Sequence, residues 1–254
     1  MQNTTPEDNK KFWGPQYGSI YPYLEDATPY RKLLKQIEDF INPKAGERWL
    51  DIGTGSGAMV DLIWKKSKGT VAKITALDLT ETMLEHLRRR LPALDPPMGE
   101  DKIELIQHDL SNKLPFADGS FDGVIASLVL TYITHHEGRE GEDALKAVLE
   151  EVYRVLKPGG EFVWTTPKHK VNFARVFAGS WREILNPKKY YNLFYGPAIL
   201  RYALEIQKKG KKGEYNFLPE ERFFEMMRSV GFGNIRRELS FAGQALVFSC
   251  KKAT

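Results

Sequence analysis

The chain has 254 residues, a hydrophobic fraction of 42% and a formal net charge of +4, which suits one large α/β domain with a substantial core. No apolar stretch reaches the roughly 18 to 20 residues that cross a bilayer, and the polar start lacks the pattern of a signal peptide, so we expect a cytoplasmic protein. Its one cysteine, Cys250, excludes an internal disulfide and a cysteine-based metal cage.

Residues 1–28 are predicted to form an irregular arm, because aromatic residues stand there among glycines and prolines. A helix with one apolar face follows from Pro29 to Ile41, and short apolar runs then alternate with helical patterns. The patterns predict strands at 48–52, 73–77, 103–107, 121–127 and 160–165, and helices at 58–66, 80–91 and 142–156. This alternation predicts a Rossmann-like, doubly wound and mostly parallel sheet with helices on both faces.

The last part of the chain is predicted to add a helix at 219–230 and two strands, 234–241 and 244–250. Only Ala242 and Gly243 separate these strands, so they must form an antiparallel hairpin at the sheet edge. The prediction is therefore a seven-stranded sheet in a single domain, 1–254, with a basic, aromatic lid inserted at 168–218.

A strand-like run leads into three alternate glycines, Gly53, Gly55 and Gly57, and Asp51 stands directly before them. Glycines allow positive φ and a close approach of bare backbone to a ligand, so this loop predicts a nucleotide-type pocket. The same residues also satisfy the dinucleotide pattern G-x-G-x-x-A, which leaves a nicotinamide-dependent oxidoreductase open.

Three aspartates stand at the predicted carboxyl ends of successive strands, where ligands bind to open parallel sheets. They are Asp51, Asp78 and Asp109. A carboxylate directly before the glycines would repel a pyrophosphate and favour a phosphate-free ligand with an ammonium group, such as S-adenosylmethionine. Each acid also has a local alternative role, as a helix cap, an Asx turn or an acceptor for loop amides.

Four segments of the chain carry a recognisable combination of motifs. They are LDIGTGSG (50–57), ALDLTETML (76–84), HDLSNKLPFADGSFDGVIASLVLTYI (108–133) and EEVYRVLKPGGEFVWTTP (150–167). In the order and spacing of these segments the chain resembles the class I S-adenosylmethionine-dependent methyltransferases of the ubiquinone and menaquinone biosynthesis group.

The resemblance implies roles for residues around the cofactor. Asp51 and the loop would surround its methionine portion, Asp78 would accept hydrogen bonds from the ribose hydroxyls, and Asp109 would receive the adenine amino group. Ser127 and Leu128 would lie near the sulfonium, and Lys157 to Gly160 would form a turn before the fifth strand. The full set of predicted cofactor-binding residues is Asp51, Gly53, Thr54, Gly55, Ser56, Gly57, Asp78, Leu79, Met83, Asp109, Leu110 and Ser127.

No catalytic residue is assigned from the sequence, because the sulfonium itself makes the methyl carbon electrophilic and the protein mainly has to align the acceptor. An acceptor that loses a proton would need a base, for which Tyr17, Tyr21, His135 and Tyr195 are the candidates. His135 and His136 lie in a polar stretch and are expected to be exposed, and their spacing does not suit a metal site; no metal is expected.

The segment 168–212 holds 11 basic residues against Glu183 and Glu205, and many aromatic residues among them. An aromatic surface among cations suits a lipophilic or amphiphilic acceptor, quinone or lipid-like, delivered from a membrane surface. Tyrosines could instead cage an amine, which leaves N-methylation of an amine or aminoalcohol open. The aromatic residues could also be the buried face of two ordinary helices, and the basic residues a solvated loop.

Two further classes remain as alternatives. An RNA methyltransferase could use the basic segment, but no RNA-binding motif is visible and no nucleic-acid partner is expected. A protein that binds the cofactor without catalysis would keep the same pocket. The sequence does not indicate an oligomeric state.

Overall fold

The structure, a computed structural model, describes Glu7 and residues 11–14, 27–180 and 191–254, with 191–194 described by their backbone alone. Two candidate bases from the sequence, Tyr17 and Tyr21, lie outside the described residues. The helices are α1 (Thr28–Phe40), α2 (Ala58–Lys66), α3 (Glu81–Arg90), α4 (Gly141–Val155), α5 (Phe173–Ala178), α6 (Tyr191–Lys211) and α7 (Glu220–Val230). The strands of the main sheet are β1 (Arg48–Ile52), β2 (Lys73–Asp78), β3 (Ile103–Gln107), β4 (Phe121–Ser127), β5 (Leu156–Pro167), β6 (Phe232–Ser240) and β7 (Ala245–Lys252).

These strands form one seven-stranded sheet in the order β3-β2-β1-β4-β5-β7-β6. β1 to β5 run parallel, whereas β7 is antiparallel to both β5 and β6. The strand order reverses between β1 and β4, and Ile52 at the end of β1 pairs with Leu77 on one side and Ala126 on the other. This reversal opens a crevice beyond the carboxyl ends of the strands, where ligands bind to such sheets. The predicted Rossmann-like architecture is confirmed.

Helices cover both faces of the sheet and divide the core into two clusters. On one face α1, α2 and α3 contribute buried residues such as Leu33, Ile63 and Leu87. On the other face α4 and α7 contribute residues such as Val152 and Phe223. The apolar positions recur at helical spacing on each helix, so each helix buries one face and leaves the other to solvent.

Two local predictions are wrong in detail. Lys157 to Gly160 do not form a separate turn, since β5 already begins at Leu156, which pairs with Phe121. The sheet register shifts there, because Gly123 pairs next with Glu161; the extra residues form an irregularity of the kind seen at β-bulges. The hairpin link is longer than predicted, because β6 ends at Ser240 and β7 begins at Ala245.

No helix in the described part of the chain is long and apolar enough to span a membrane.

Candidate functional site

A cavity of about 200 Å³ opens beyond the carboxyl ends of the parallel strands. Residues at or after the ends of β1, β2, β3 and β4 form one part of its wall, and residues of α5, α6, the N-terminal segment (residues 11–14) and Phe241 after β6 form the other. Val129 and residues 132–135, in the segment after β4, also line it. We call the first part the rim wall: Gly53, Gly55, Leu77, Asp78, Leu79, Met83, His108, Asp109, Leu110, Ser111, Ser127 and Leu128. We call the second part the cover wall: Trp13, Phe173, Val176, Phe177, Ile199, Tyr202, Ala203, Ile206 and Phe241.

Two separate features of the structure require a glycine at position 53 of the loop. Its φ of +67° lies in the left-handed region, which residues with a Cβ rarely adopt. A Cβ at this position would also lie 2.5 Å from Val129 Cγ2, on the segment after β4. The absence of a Cβ therefore lets the segment after β4 pack closely against the loop, and Gly53 itself lines the cavity.

Asp78 at the end of β2 is held by the backbone of two segments. Its Oδ2 accepts a hydrogen bond from the Gly55 amide at 2.9 Å, and its Oδ1 accepts bonds from the amide and hydroxyl of Thr80. Burial raises the pKa of Asp78, and these donors oppose the rise because they favour the ionised form. The carboxylate thus ties the glycine loop to β2 and also lines the cavity, so the local and the ligand-binding interpretations are compatible.

Asp51 is fully buried, and neither of its carboxylate oxygens has a hydrogen-bond partner among the described residues. Burial raises its pKa to about 7, the Thr54 hydroxyl opposes the rise, and the Asp78 carboxylate adds to it. The Thr54 hydroxyl is itself without a partner, so it acts on Asp51 by proximity and not through a formed hydrogen bond. A buried, unpaired carboxyl group is costly, and a cation placed nearby would relieve that cost.

Asp109 follows β3, lines the cavity and accepts a hydrogen bond at Oδ1 from the Ser111 amide at 2.9 Å. This bond is the Asx turn that the sequence left open.

The segment after Asp109 is held by a distant loop, because the His136 ring pairs through Nδ1 with the Leu110 carbonyl oxygen at 2.7 Å. The ring is buried, so the prediction that His136 is exposed is wrong; packing against this loop covers it.

The end of β4 carries a strained residue on the cavity wall. Leu128 has a φ of +53°, in the left-handed region. Its amide donates hydrogen bonds to the hydroxyl of Thr165 at 2.9 Å and to the Thr165 carbonyl oxygen at 3.2 Å, and the same hydroxyl pairs with Ser127 at 3.2 Å. Thr165 on β5 therefore fixes the backbone that turns Ser127 and Leu128 toward the cavity.

Aromatic rings from distant parts of the chain close the cavity. Trp13 lies 4.8 Å from Tyr132 between ring centroids, and Tyr132 packs edge-on against Tyr215 at 5.1 Å. Phe12 contacts Tyr202 of α6, with centroids 5.5 Å apart. The N-terminal residues 12 and 13 and α6 thus meet at the cavity.

His135 is partly buried and lines the cavity, so the prediction that it is exposed is also wrong. Its Nδ1 lies 3.1 Å from the Thr134 hydroxyl, and its Nε2 lies 3.6 Å from the Glu140 carboxylate. Tyr195, by contrast, does not line the cavity.

The structure brings eight of the predicted cofactor-binding residues onto the rim wall. They are Gly53, Gly55, Asp78, Leu79, Met83, Asp109, Leu110 and Ser127. The four others are buried and do not line the cavity: Asp51, Thr54, Ser56 and Gly57. The sequence analysis assigned no role to four further lining residues, His108, Ser111, Val129 and Ile133. His108 precedes Asp109 directly and Ser111 follows it by two residues, so their position after the end of β3 was the available signal.

Comparison with known proteins agrees with this geometry. The sequence profile of a family described as methyltransferase domain matches residues 50–164. The ubiquinone/menaquinone biosynthesis C-methyltransferase UbiE of Ruegeria sp. (strain TM1040) is 30% identical over 240 residues, which cover 90% of this chain and 84% of that protein.

Solved structures share the fold. A SAM dependent methyltransferase from Aquifex aeolicus has a TM-score of 0.55 at 16% identity and covers 97% of this chain and 98% of its own. Phosphoethanolamine N-methyltransferase 2 of Haemonchus contortus, solved with phosphomonomethylethanolamine and S-adenosylhomocysteine, has a TM-score of 0.65 at 15% identity over 98% of this chain and 60% of its own. The chain therefore belongs to the class I S-adenosylmethionine-dependent methyltransferases, in the family that contains UbiE.

Proposed function

We propose that the chain transfers the methyl group of S-adenosylmethionine to a small lipophilic acceptor with a quinone-like or other aromatic ring. The observation that carries this proposal is the composition of the cover wall, which is aliphatic and aromatic throughout. No lysine or arginine is among the described residues that line the cavity. Such a wall favours an apolar acceptor, because burying a charged group there would leave that charge unpaired.

The residues of the rim wall fit the cofactor. Asp51 does not itself line the cavity, but it is a buried carboxyl group without a partner among the described residues, which suits an ammonium group nearby. Gly53 and Gly55 line the cavity and would present their backbone to the methionine portion. Asp78 keeps acceptor capacity on Oδ2, which accepts one bond from the Gly55 amide, whereas Oδ1 already accepts two bonds from Thr80; Oδ2 would take a ribose hydroxyl. Asp109 and Leu110 would hold the adenine, with Leu79 and Met83 as apolar contacts.

When bound, the cofactor supplies an electrophilic methyl group on a sulfonium. The chain's own contribution is to hold the acceptor in line and to exclude water. The rigid turn at Leu128 fixes one side of the transfer site, and the rings of Trp13 and Tyr132 close the other side. An acceptor that loses a proton on methylation would release it toward His135, the imidazole that lines the cavity beside Thr134.

The relatives support a quinone-type acceptor, because UbiE of Ruegeria sp. is named as a ubiquinone/menaquinone biosynthesis C-methyltransferase. The phosphoethanolamine N-methyltransferase shares the fold, but a phosphate-bearing acceptor would call for basic side chains that the described cavity wall does not offer. Membrane-surface contact is part of the proposal, since an apolar acceptor partitions into a bilayer.

N-methylation of an amine, which reacts in its neutral form, is the second candidate, and one observation favours it. Trp13, Tyr132 and Tyr202 present aromatic rings in or next to the cavity, and such rings also attract ammonium groups. A carboxylate that would select an ammonium acceptor is missing from the described part of the cover wall, which places this candidate second.

The deciding experiment offers the purified chain methyl-labelled S-adenosylmethionine with two acceptor series. One series holds reduced quinones or phenols with alkyl tails of increasing length, and the other holds amines and aminoalcohols of matched size. We expect turnover in the first series, with kcat/KM rising with tail length. Turnover confined to the amines would refute the acceptor class and leave the methyltransferase assignment intact. The variant Asp78→Asn serves as the control for cofactor-dependent signal.

A further inference from the structure

Helix α6 presents two different faces, and only one of them is used by the cavity. Its inner face contributes Ile199, Tyr202, Ala203 and Ile206 to the cover wall. Its outer face carries residues at spacings of four and three, which recur on one side of an α-helix. This outer stripe consists of Pro197, Arg201, Leu204, Lys208 and Lys211, all of which are exposed.

The outer stripe combines positive charge with an exposed apolar side chain. Leu204 is 45% exposed and lies between Arg201 and Lys208 along the stripe. Arg201, Lys208 and Lys211 form no ion pair with any residue in the described part of the chain. Glu205 is the one exposed acid among the described side chains of α6. The stripe is therefore a cationic surface with an apolar centre, and its charges are available to a partner.

The structure separates these cations from neighbouring lysines that the sequence alone groups with them. Lys209 turns inward: its Nζ lies 3.7 Å from the Glu214 carboxylate and above the rings of Phe12 and Tyr215, at 5.4 and 5.5 Å from their centroids. Lys212 pairs with the same glutamate at 3.6 Å. Both lysines stabilise the junction between α6, the N-terminal segment and the loop after α6, and neither belongs to the outer stripe.

We propose that the outer stripe of α6 rests on the surface of an anionic lipid bilayer, while the inner face of the same helix lines the cavity that takes the acceptor. The proposal rests on the proposed function, because a lipophilic acceptor has to be taken from a bilayer. Cationic side chains are attracted to anionic headgroups, and an exposed leucine among them inserts at the headgroup boundary. A nucleic-acid backbone offers no apolar environment for the exposed side chain of Leu204, whereas a bilayer does, and this favours a bilayer as the partner.

The test measures binding of the full chain to vesicles, in the absence of acceptor and without any methyl transfer. Vesicles of phosphatidylcholine are compared with vesicles that also contain phosphatidylglycerol, at low and at high salt. We expect binding to the anionic vesicles, weakened by salt. The double variant Lys208→Gln/Lys211→Gln should lower this binding by about tenfold or more. Adding Leu204→Gln to the double variant should lower the binding further.

Two lysines on another helix provide a matched control. Lys32 and Lys35 of α1 are exposed and three residues apart, as Lys208 and Lys211 are. The variant Lys32→Gln/Lys35→Gln removes the same net charge and should leave vesicle binding within about twofold of the parent. Unchanged cofactor affinity in both double variants shows that each has folded.

The outcomes separate this proposal from the proposed function. An equal loss of vesicle binding in both double variants, or no binding to anionic vesicles, overturns the membrane surface even if quinones are methylated. Salt-sensitive binding to single-stranded RNA that exceeds binding to anionic vesicles, and that the α6 variant abolishes, overturns it in favour of nucleic acid. Vesicle binding that depends on the outer stripe upholds it, even if the acceptor is an amine.

Discussion

Replacing Asp51 with asparagine isolates the consequence of burying an unpaired carboxyl group. The pKa of Asp51 is raised from 3.8 to about 7, mainly by burial. A rise of about three pKa units corresponds to about 4 kcal/mol between its two protonation states. Between about pH 4 and pH 7 the folded chain holds a proton that the unfolded chain has lost, so the free energy of unfolding falls as pH rises through this window.

The Asp51→Asn variant lacks this titration but keeps the side chain's shape. Its stability relative to the parent should therefore increase from pH 5 to pH 8 by about 2.5 kcal/mol, because about a third of the titration already lies below pH 5. Urea unfolding of both proteins at each pH measures the difference directly. The pKa of Asp78 is also raised, but this carboxyl group is common to both proteins and largely cancels in the comparison.

The affinity of the parent protein for the cofactor should rise with pH, whereas its free energy of unfolding falls. An ammonium group near Asp51 is favoured only when the carboxyl group is ionised, so affinity for S-adenosylhomocysteine should rise about tenfold per pH unit below pH 7 and level off above it. Calorimetry in buffers of different ionisation enthalpy should detect proton release at pH 6. The Asp51→Asn variant should bind more weakly at pH 7.5, with little pH dependence. Identical pH profiles in the two proteins would refute the role of Asp51.

Three further predictions concern residues whose contacts are non-local. Gly53→Ala should lower the free energy of unfolding by about 2 kcal/mol or more, because its φ is +67° and its Cβ would meet Val129; chemical denaturation measures the loss, and a change below about 0.5 kcal/mol would contradict it. Trp13→Ala should raise the KM for the acceptor at least severalfold in steady-state assays and leave cofactor affinity unchanged in binding assays. A cofactor affinity that falls by the same factor as the acceptor KM rises would argue against a cover-wall role. Thr165→Val should lower kcat about tenfold, because Leu128 loses a hydrogen-bond acceptor, and Thr165→Ser should restore it; a serine variant no better than valine would point to packing instead.

The sequence by itself determined the features that local patterns encode. Alternation of apolar runs and helical periodicity predicted a doubly wound sheet, and the acids Asp78 and Asp109 at strand ends predicted which residues face the cavity. These predictions succeed because parallel strands align their carboxyl ends, so a position at the end of a strand already implies a position in space. The positive φ of Gly53, Gly55 and Gly57 follows from their residue type in the same way, since backbone conformation is a local property.

Only the tertiary structure decided how distant segments pack over that rim. Asp51 stands next to the glycines in the chain, yet it is fully buried and does not line the cavity, while His136, in a polar stretch, is buried against Leu110. Lys208 and Lys209 are neighbours in sequence, but one faces solvent and the other lies over the Phe12 ring. Burial and pairing of these groups depend on contacts between residues far apart in the chain, and no local pattern contains those contacts.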